Sequence, residues 1–486
     1  MNGPRSEDDA ITYRNHPTGI WSHLPEVFKY HPLPALLILA AALAGTPTAR
    51  AESKSALLPY GLSARVAPEA YLHMPHLAVG KIPPLLSQTG AFSDTRNLVP
   101  GAGLIPYDIV VPFWSDGAAK SRWVAVPNAR IRYSPTGDWV FPRGTVFVKT
   151  FELPTDAATP ALKRRLETRL LVCDSNGGVY GVVYKWRPDN SDADLLGTDP
   201  NEEKGRTEEI SIKSGNGESS KQTWYSPSRR DCLACHNAKT SGVLGVKARQ
   251  MNRSFTYPSG VTDNQLRAWN HAGLLTPKLS DAELAKVPTL AAADDATRSL
   301  EDRTRSYLDA NCAQCHRPGG TVAYFDTRYD TPLEKQELVN GPVLIDQGID
   351  RPRAISPHDI WRSIIFMRVN TVDDIKMPPI ARETIDRAGV KLLQDWITSL
   401  PGRPVLDPPT MSPQGGAFSA PVEISLGESE PGADIRYTLD GSVPSPEDMR
   451  YEAPIHLTGP TVLRARAYKD GFTRSITAQE VFIIGK

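Results

Sequence analysis

The stretch Asn311–Gly320 reads Asn-Cys-Ala-Gln-Cys-His-Arg-Pro-Gly-Gly, and the rest of the chain is interpreted outward from it. Cys312 and Cys315 are separated by two residues, and His316 follows directly. This C-x-x-C-H arrangement attaches haem c, because two thiols one helical turn apart can each add to a vinyl group of one porphyrin while the adjacent imidazole reaches the iron. The stretch therefore predicts one covalently bound haem with His316 as its proximal iron ligand.

A second copy of the pattern lies upstream, at Cys232, Cys235 and His236. Two copies predict two covalently bound haem c groups. One alternative is a zinc ribbon, in which four thiolates hold one tetrahedral ion. Ribbon knuckles are usually close in sequence, whereas 76 residues (236 to 311) separate these pairs. Neither zinc nor two redox-type disulfides explains the histidine that follows each pair.

Length and charge limit the number of domains and the kinds of binding partner. At 486 residues the chain is long enough for several domains. Lys+Arg and Asp+Glu both number 55, so no basic field indicates a nucleic acid partner. Cys173 is the one cysteine outside the motifs, and its apolar neighbours predict a buried small side chain.

Residues 1–51 are predicted to be a signal peptide region. The apolar run 33–45 is too short to span a bilayer, and Ala49-Arg50-Ala51 predicts cleavage before Glu52. The segment before this run is long and mixed in charge for the start of a signal peptide, so we expect translation to start downstream, at Val27. The alternative to a cleaved signal peptide is an uncleaved membrane anchor. Export predicts a periplasmic or secreted protein with no integral membrane span after cleavage.

Changes in composition divide the rest of the chain. The predicted parts are a linker at 52–94, an antiparallel β module at 95–225, a first haem segment at 226–295, a helical domain with the second haem at 296–402, and a final module at 403–486. Strands are expected at 145–151, 166–172 and 180–186, and an exposed loop at 202–222. Pro112–Gly117, Pro-Phe-Trp-Ser-Asp-Gly, is either a docking surface or a buried turn.

Residues 296–402 resemble a class I cytochrome c. Helices are predicted at 300–310 and 389–400, and Met377 lies between them on a proline-stiffened loop, 61 positions after His316. The resemblance implies that Met377 is the sixth ligand of the second haem, which raises the reduction potential relative to a second histidine. Met367 is the competing thioether, but its helical apolar surroundings favour a packing role.

The same resemblance implies a role for Pro318. In similar cytochromes the carbonyl of the proline after the haem histidine accepts the imidazole Nδ1–H and fixes the tautomer. The first motif is followed by Asn237 and lacks this proline. For the first haem the nearest thioether is Met251, which is the candidate sixth ligand, with a packing role as the alternative.

Residues 403–486 contain two D-G turns after alternating strands, at Asp440-Gly441 and Asp470-Gly471. With the sequence Tyr437–Pro444, this module resembles the immunoglobulin-like C-terminal domain of chitobiase and β-hexosaminidase. The resemblance implies an accessory β-sandwich and no hydrolase activity by itself. The predicted fold class is thus multidomain α+β, with an N-terminal antiparallel β module, mainly α cytochrome c haem domains and a C-terminal immunoglobulin-like sandwich.

Over residues 80–402 the chain resembles a family of exported bacterial dihaem c-type cytochromes. The resemblance implies single-electron transfer between periplasmic redox partner proteins, and the association of some relatives with quinoprotein sugar dehydrogenases implies such a donor. The expected protein is an electron carrier without catalytic residues. The alternatives are a dihaem peroxidase or oxidase with one open iron, and a haem protein tethered to glycan or a partner by its C-terminal module.

Overall fold

A computed structural model describes residues 59–197, 204–240, 242–321 and 323–485. The predicted signal region, its cleavage site and the start at Val27 lie outside these residues. No helix in the described ranges is long and apolar enough to cross a membrane. The internal contacts of the chain define two compact units, with the division between Gly402 and Arg403.

The first unit, Leu57–Gly402, contains most of the secondary structure. Its strands are β1 (Phe92–Asp94), β2 (Val99–Pro100), β3 (Leu104–Pro106), β4 (Ala119–Ala125), β5 (Ile131–Arg132), β6 (Val146–Pro154), β7 (Lys163–Cys173), β8 (Val179–Trp186), β9 (Ala193–Leu196), β10 (Arg206–Lys213), β11 (Ser219–Ser226), β12 (Ser254–Thr256), β13 (Thr262–Asn264) and β14 (Leu275–Thr276). Its helices are α1 (Arg229–Cys235), α2 (Ala248–Met251), α3 (Gln265–His271), α4 (Asp281–Leu284), α5 (Leu300–Asn311), α6 (Ile364–Val369) and α7 (Arg387–Ser399).

A six-stranded antiparallel sheet in the order β3-β4-β6-β7-β8-β9 is the centre of this unit. The three strands predicted from β-branched and aromatic residues coincide with β6, β7 and β8, except that β6 begins one residue after the predicted start, so those predictions are confirmed. Because side chains alternate across a strand, Val146 and Val148 pack on one face, under residues 71–98 of the chain. Phe147 lies on the other face, in a core that includes Trp269 of α3. Cys173 is buried, as expected.

The prediction of an exposed loop at 202–222 is wrong. Arg206–Lys213 and Ser219–Ser226 pair as an antiparallel hairpin. Its inward side chains Ile210 and Trp224 are buried beside Phe151, while the outward positions are charged or polar and mask the alternation. The hairpin is therefore set by two apolar anchors and the glycine-containing turn between the strands.

The predicted fold class, with its mainly α haem domains, is also wrong. The described residues form 22 strands and seven α-helices, and most of those helices are short. Within 226–295, α1 to α4 have four to seven residues each, and the apolar side chains of this segment share a core with the sheet rather than with other helices. Within 296–402, frequent prolines interrupt the chain between α5 and α7, because proline removes a helical hydrogen bond and clashes with the preceding turn.

Helices α5 and α7 pack directly against each other within residues 296–402. A side chain at Gly389 would meet the ring of Tyr307 at 2.4 Å, so glycine is required at this crossing. Leu308, Leu393 and Trp396 form the centre of the local core. The crossing fixes the direction in which α5 delivers the second C-x-x-C-H motif.

The second unit is a two-sheet β-sandwich, described here over Arg403–Gly485. Its strands are β15 (Thr410–Ser412), β16 (Gly416–Phe418), β17 (Val422–Gly427), β18 (Asp434–Thr438), β19 (Met449–Arg450), β20 (Ile455–Leu457), β21 (Thr461–Tyr468) and β22 (Ala478–Ile484). The sheets have the orders β15-β17-β20 and β16-β22-β21-β18-β19. Buried Ile424, Leu463 and Phe482 fill the space between them, as expected for inward positions of packed sheets.

Candidate functional site

Helix α1 presents the first motif. Ser228 caps the helix by accepting a hydrogen bond from the Asp231 backbone N–H, while the Asp231 carboxylate accepts one from the backbone N–H of Ser228. This capping box starts the helix one turn before Cys232. The helix ends in a turn in which the His236 N–H donates to the Cys232 carbonyl at 2.9 Å. The two thiols and the imidazole are thus held on one continuous helical turn.

The ring of His236 is oriented by a backbone carbonyl. Its Nδ1 lies 2.9 Å from the carbonyl oxygen of Gly242, which leaves Nε2 for a metal. Gly242 has a φ of +77°, and a Cβ there would meet Val179 at 2.6 Å, so glycine is needed to present this carbonyl. Burial lowers the pKa of His236 to about 4, so the ring is neutral at physiological pH and competent to bind iron.

We call the cavity beside this motif the first cleft. It contains about 1760 Å³ of empty space, part of it open to solvent, and Cys232, Cys235 and His236 line it. One side is the sheet face that carries Lys149 and Arg169, among others.

Two close approaches shape the first cleft. A Cβ at Gly181 of β8 would lie 2.8 Å from both the Cβ and Sγ atoms of Cys232, so the motif rests directly on the sheet. Another part of the lining is the second motif itself, through Ala313, Gln314 and Arg317. The Arg317 guanidinium pairs with Asp138 at 2.8 Å, which joins this segment to the β module.

The second motif repeats the turn of the first. The His316 N–H donates to the Cys312 carbonyl at 2.9 Å, the same distance as in the first copy. The His316 ring stacks on Phe325, with centroids 4.6 Å apart and an interplanar angle of 14°. Burial, followed by the nearby Arg368 charge, lowers the pKa of His316 to about 4.

The hydrogen bond expected between His316 and Pro318 is not formed. The His316 Nδ1 atom is buried and has no hydrogen-bond partner in the described part of the chain. The carbonyl contact predicted for the second motif is therefore seen in the first, where Gly242 supplies it. Sequence reasoning looked for a proline and missed a glycine six positions after the histidine.

We call the cavity beside His316 the second cleft. His316, Cys312 and Met377 all line it, together with apolar residues and Arg368, around about 820 Å³ of empty space. The structure thus brings the predicted proximal and distal ligands of the second haem to one cavity. Met367 is buried and is not among the residues that line this cleft, as expected for a packing methionine.

The loop that carries Met377 is held by a residue that sequence reasoning missed. The Arg382 side chain is 2% exposed. Its guanidinium donates to the carbonyls of Met377 at 2.5 Å, Val369 at 3.1 Å and Thr371. Arg382 belongs to no motif or periodic pattern in the sequence, so nothing in the sequence indicated this role.

The Pro112–Gly117 stretch proves to be a structural joint. Asp116 is 3% exposed, and its Oδ1 atom accepts hydrogen bonds from the backbone N–H groups of Glu383 and Thr384 at 2.9 and 2.8 Å. The Trp114 N–H donates to the Asn311 side chain at 2.8 Å, directly before Cys312. Ser115 and Asp116 are buried while Pro112 and Gly117 are exposed, and the turn connects the β module to the second motif.

Met251 lies away from the first cleft. It is fully buried in the core that includes Leu266 and Trp269, and the neighbouring Gln250 lines the cleft instead. Among the residues that line this cleft, all within the described chain, none is a methionine and His236 is the only histidine. The assignment of Met251 as an iron ligand stays a prediction, and its position does not favour it.

The two motifs meet at their second cysteines. An interaction between the Cys235 and Cys315 thiols lowers the pKa of Cys315 and raises that of Cys235, so the two side chains lie close together. All four motif cysteines are free. Within the described ranges no three histidine, cysteine, aspartate or glutamate side chains are grouped so that they could hold a metal ion.

These groups fit the requirements of haem c attachment. Each motif offers two free thiols on one turn and a neutral imidazole that lines a cleft. The exception is the buried Nδ1 atom of His316, which has no hydrogen-bond partner among the described residues.

Comparison with known proteins identifies the C-terminal module. Residues 413–479 match the chitobiase/beta-hexosaminidase C-terminal domain, in agreement with the sandwich of β15–β22. No characterised protein matches the chain, and no solved structure does.

Proposed function

We propose that this protein is an exported dihaem c-type cytochrome that transfers single electrons between redox partners in the periplasm. The observation that carries the proposal is the repetition of one geometry at both motifs. In each, the histidine N–H donates to the carbonyl of the first cysteine at 2.9 Å, and this cysteine and histidine line a cleft. Two unrelated functions would not require the same turn at both clefts.

Haem bound at these motifs would supply an iron that alternates between the ferric and ferrous states. Cys232, Cys235, Cys312 and Cys315 would hold the porphyrins, and His236 and His316 would provide the proximal nitrogens. The Gly242 carbonyl fixes the orientation of His236, and Arg382 fixes the loop that brings Met377 into the second cleft.

The contact between the motifs favours electron exchange between the two sites. The Cys235 and Cys315 thiols lie close enough to shift each other's pKa, and the Lys239 ammonium donates to the Gly320 carbonyl at 3.2 Å. Each motif thus lies beside the other rather than at opposite ends of the unit. Electrons entering at one haem would reach the second without a further carrier, and a periplasmic quinoprotein dehydrogenase is the class of donor that we propose.

A count of covalent haems tests the proposal. The chain is expressed with a c-type haem maturation system, and a pyridine haemochrome assay is combined with intact mass. We expect two haems per chain, one after serine replacement of Cys232 and Cys235, and one after replacement of Cys312 and Cys315. Cys173→Ser is the matched control and keeps both. Colourless protein with the mass of its amino acids alone would refute the proposal.

A dihaem peroxidase or oxidase is the second candidate. It is favoured by the first cleft, where no methionine and no second histidine is found among the described lining residues, so the first iron has no evident sixth protein ligand. A high-spin optical signature from one of two haems, together with peroxide turnover, would support this enzyme. Two low-spin haems without turnover would exclude it in favour of the carrier.

The C-terminal sandwich supports a tethering role beside electron transfer, because in the matched family it is the C-terminal domain of glycan-acting enzymes. Removal of 403–486 at the boundary between the two compact units leaves both motifs intact. We expect the shortened protein to keep two haems and its electron transfer while losing retention on glycan or on a partner. Unchanged retention would argue against the tether.

A further inference from the structure

A row of three cations crosses the sheet inside the first cleft. In the antiparallel register, Arg122 of β4 lies opposite Lys149 of β6, and Lys149 lies opposite Arg169 of β7. All three side chains line the cleft. Like charges directly opposite one another on a sheet are destabilising, so the protein maintains this row at a cost in stability.

Acidic side chains neutralise the two ends of the row but not its centre. Arg122 pairs with Asp108 at 2.6 Å, and Arg169 pairs with Glu167 at 2.5 Å. Across the described residues, no acidic side chain forms an ion pair with Lys149, whose ammonium lies 5.3 Å from the centre of the Phe151 ring. Burial and the flanking arginines lower the pKa of Lys149. An anion in the cleft would relieve this repulsion.

The position of the row relative to the first motif indicates where such an anion would lie. Cys232 rests over Gly181 of β8. Gly181 is opposite Leu171 of β7, which is two residues along the strand from Arg169 and therefore on the same face. Since neighbouring strands are about 4.8 Å apart, Lys149 on β6 is roughly 10 Å across the sheet from Gly181, and Arg122 is one strand further. A porphyrin attached at Cys232 would bring two carboxylates into the cleft that this row lines.

We propose that Arg122, Lys149 and Arg169 form a carboxylate-binding row in the first cleft, with the propionates of the first haem as its ligand. This inference rests on the proposed function for the identity of the ligand, whereas the shared chemistry is a carboxylate. A free small carboxylate bound in the open part of the cleft is the other source, and the two are distinguished below. Arginine and lysine together suit this role, because arginine binds carboxylate through two parallel bonds and lysine as a point charge.

The test compares Lys149→Met with Lys185→Met in the haem-loaded protein. Lys185 lies on the same sheet but is paired with Glu208 at 2.9 Å and is not part of the cleft lining. We expect Lys149→Met to lower the midpoint potential of one haem and to change its propionate vibrations in the resonance Raman spectrum, with the other haem unaffected. Lys149→Arg should restore both properties, and Lys185→Met should alter neither.

A carboxylate titration separates the two sources. Formate, acetate and citrate are added to the wild-type protein while the Soret band is followed. No response, together with the Lys149→Met effects, assigns the row to the propionates; a saturable response that Lys149→Met abolishes assigns it to a free carboxylate. If Lys149→Met behaves as Lys185→Met in every readout, the row binds no carboxylate and the inference is refuted. Haem content is counted in the same samples, so a failure of haem attachment is recognised separately.

Discussion

Replacement of Gly181 by alanine tests whether the sheet positions the first motif. The added Cβ would lie 2.8 Å from both the Cβ and Sγ atoms of Cys232, whereas carbon atoms in contact are usually about 3.5–4.0 Å apart. Helix α1 would therefore have to move by roughly 0.7–1.2 Å. Overpacking of this kind costs about 1–3 kcal/mol, and the reduced freedom of the unfolded chain returns about 0.4–1 kcal/mol. At the middle of both ranges overpacking is the larger, and we expect a net loss of stability of about 1.3 kcal/mol.

The assay measures haem content and stability together. Intact mass should reveal a population of Gly181→Ala chains with one haem, and proteolytic mapping should place the missing haem at Cys232 and Cys235. Urea unfolding should give a lower midpoint. Gly215→Ala is the matched control, because a Cβ there meets no atom within 4 Å, and it should keep both haems with equal or slightly higher stability. Full haem loading of Gly181→Ala with an unchanged midpoint would refute the reasoning.

Three further predictions concern other parts of the first unit. Met377→Ala should lower the potential of the second haem and remove the absorption band of methionine-ligated ferric haem, while Met367→Leu, a volume-conserving change in the core, should leave both unchanged. In haem-free protein treated with oxidised glutathione, Cys235 and Cys315 should form a disulfide, each thiol losing a proton and an electron to the oxidant; peptide mapping that finds only pairs within each motif would contradict this. Burial lowers the pKa of Lys120 to about 7, so between pH 7 and the ordinary lysine pKa near 10.5 the unfolded chain binds more protons than the folded chain and the free energy of unfolding rises with pH. The Lys120→Met variant should flatten that rise when urea unfolding is measured across this pH range. Parallel pH profiles for the variant and the wild type would contradict this prediction.

Sequence patterns identified the strands and helices whose own residues carry the periodicity. The alternation of β-branched residues located β6 to β8, and the spacing of Val390, Leu393 and Ile397 located α7. The C-x-x-C-H motifs were likewise readable, because each depends on a short spacing, whereas Met377 was assigned through the resemblance to class I cytochromes c and stays a prediction as a ligand. The hairpin β10–β11 was missed, since its outward charges hide Ile210 and Trp224.

Contacts between distant segments could not be read in this way. The pairing of Gly181 with Cys232, the Gly242 carbonyl on His236 and the three carbonyls held by Arg382 all depend on tertiary geometry. The expectation of independent helical haem domains failed for the same reason. The segment 226–295 buries Leu266 and Trp269 against the sheet, a choice of packing partner that helical periodicity does not encode.

The placement of Ala313, Gln314 and Arg317 in the lining of the first cleft has a consequence for assembly if haem is attached as we propose. Residues 311–317, once folded against the upstream motif, would narrow the approach of a maturation enzyme to Cys232 and Cys235, which are only partly exposed in the folded chain. In an exported chain that emerges amino end first, the upstream motif would be accessible before this cover has formed. A circular permutation that reverses the order of the two motifs is then expected to lower haem loading at Cys232 and Cys235.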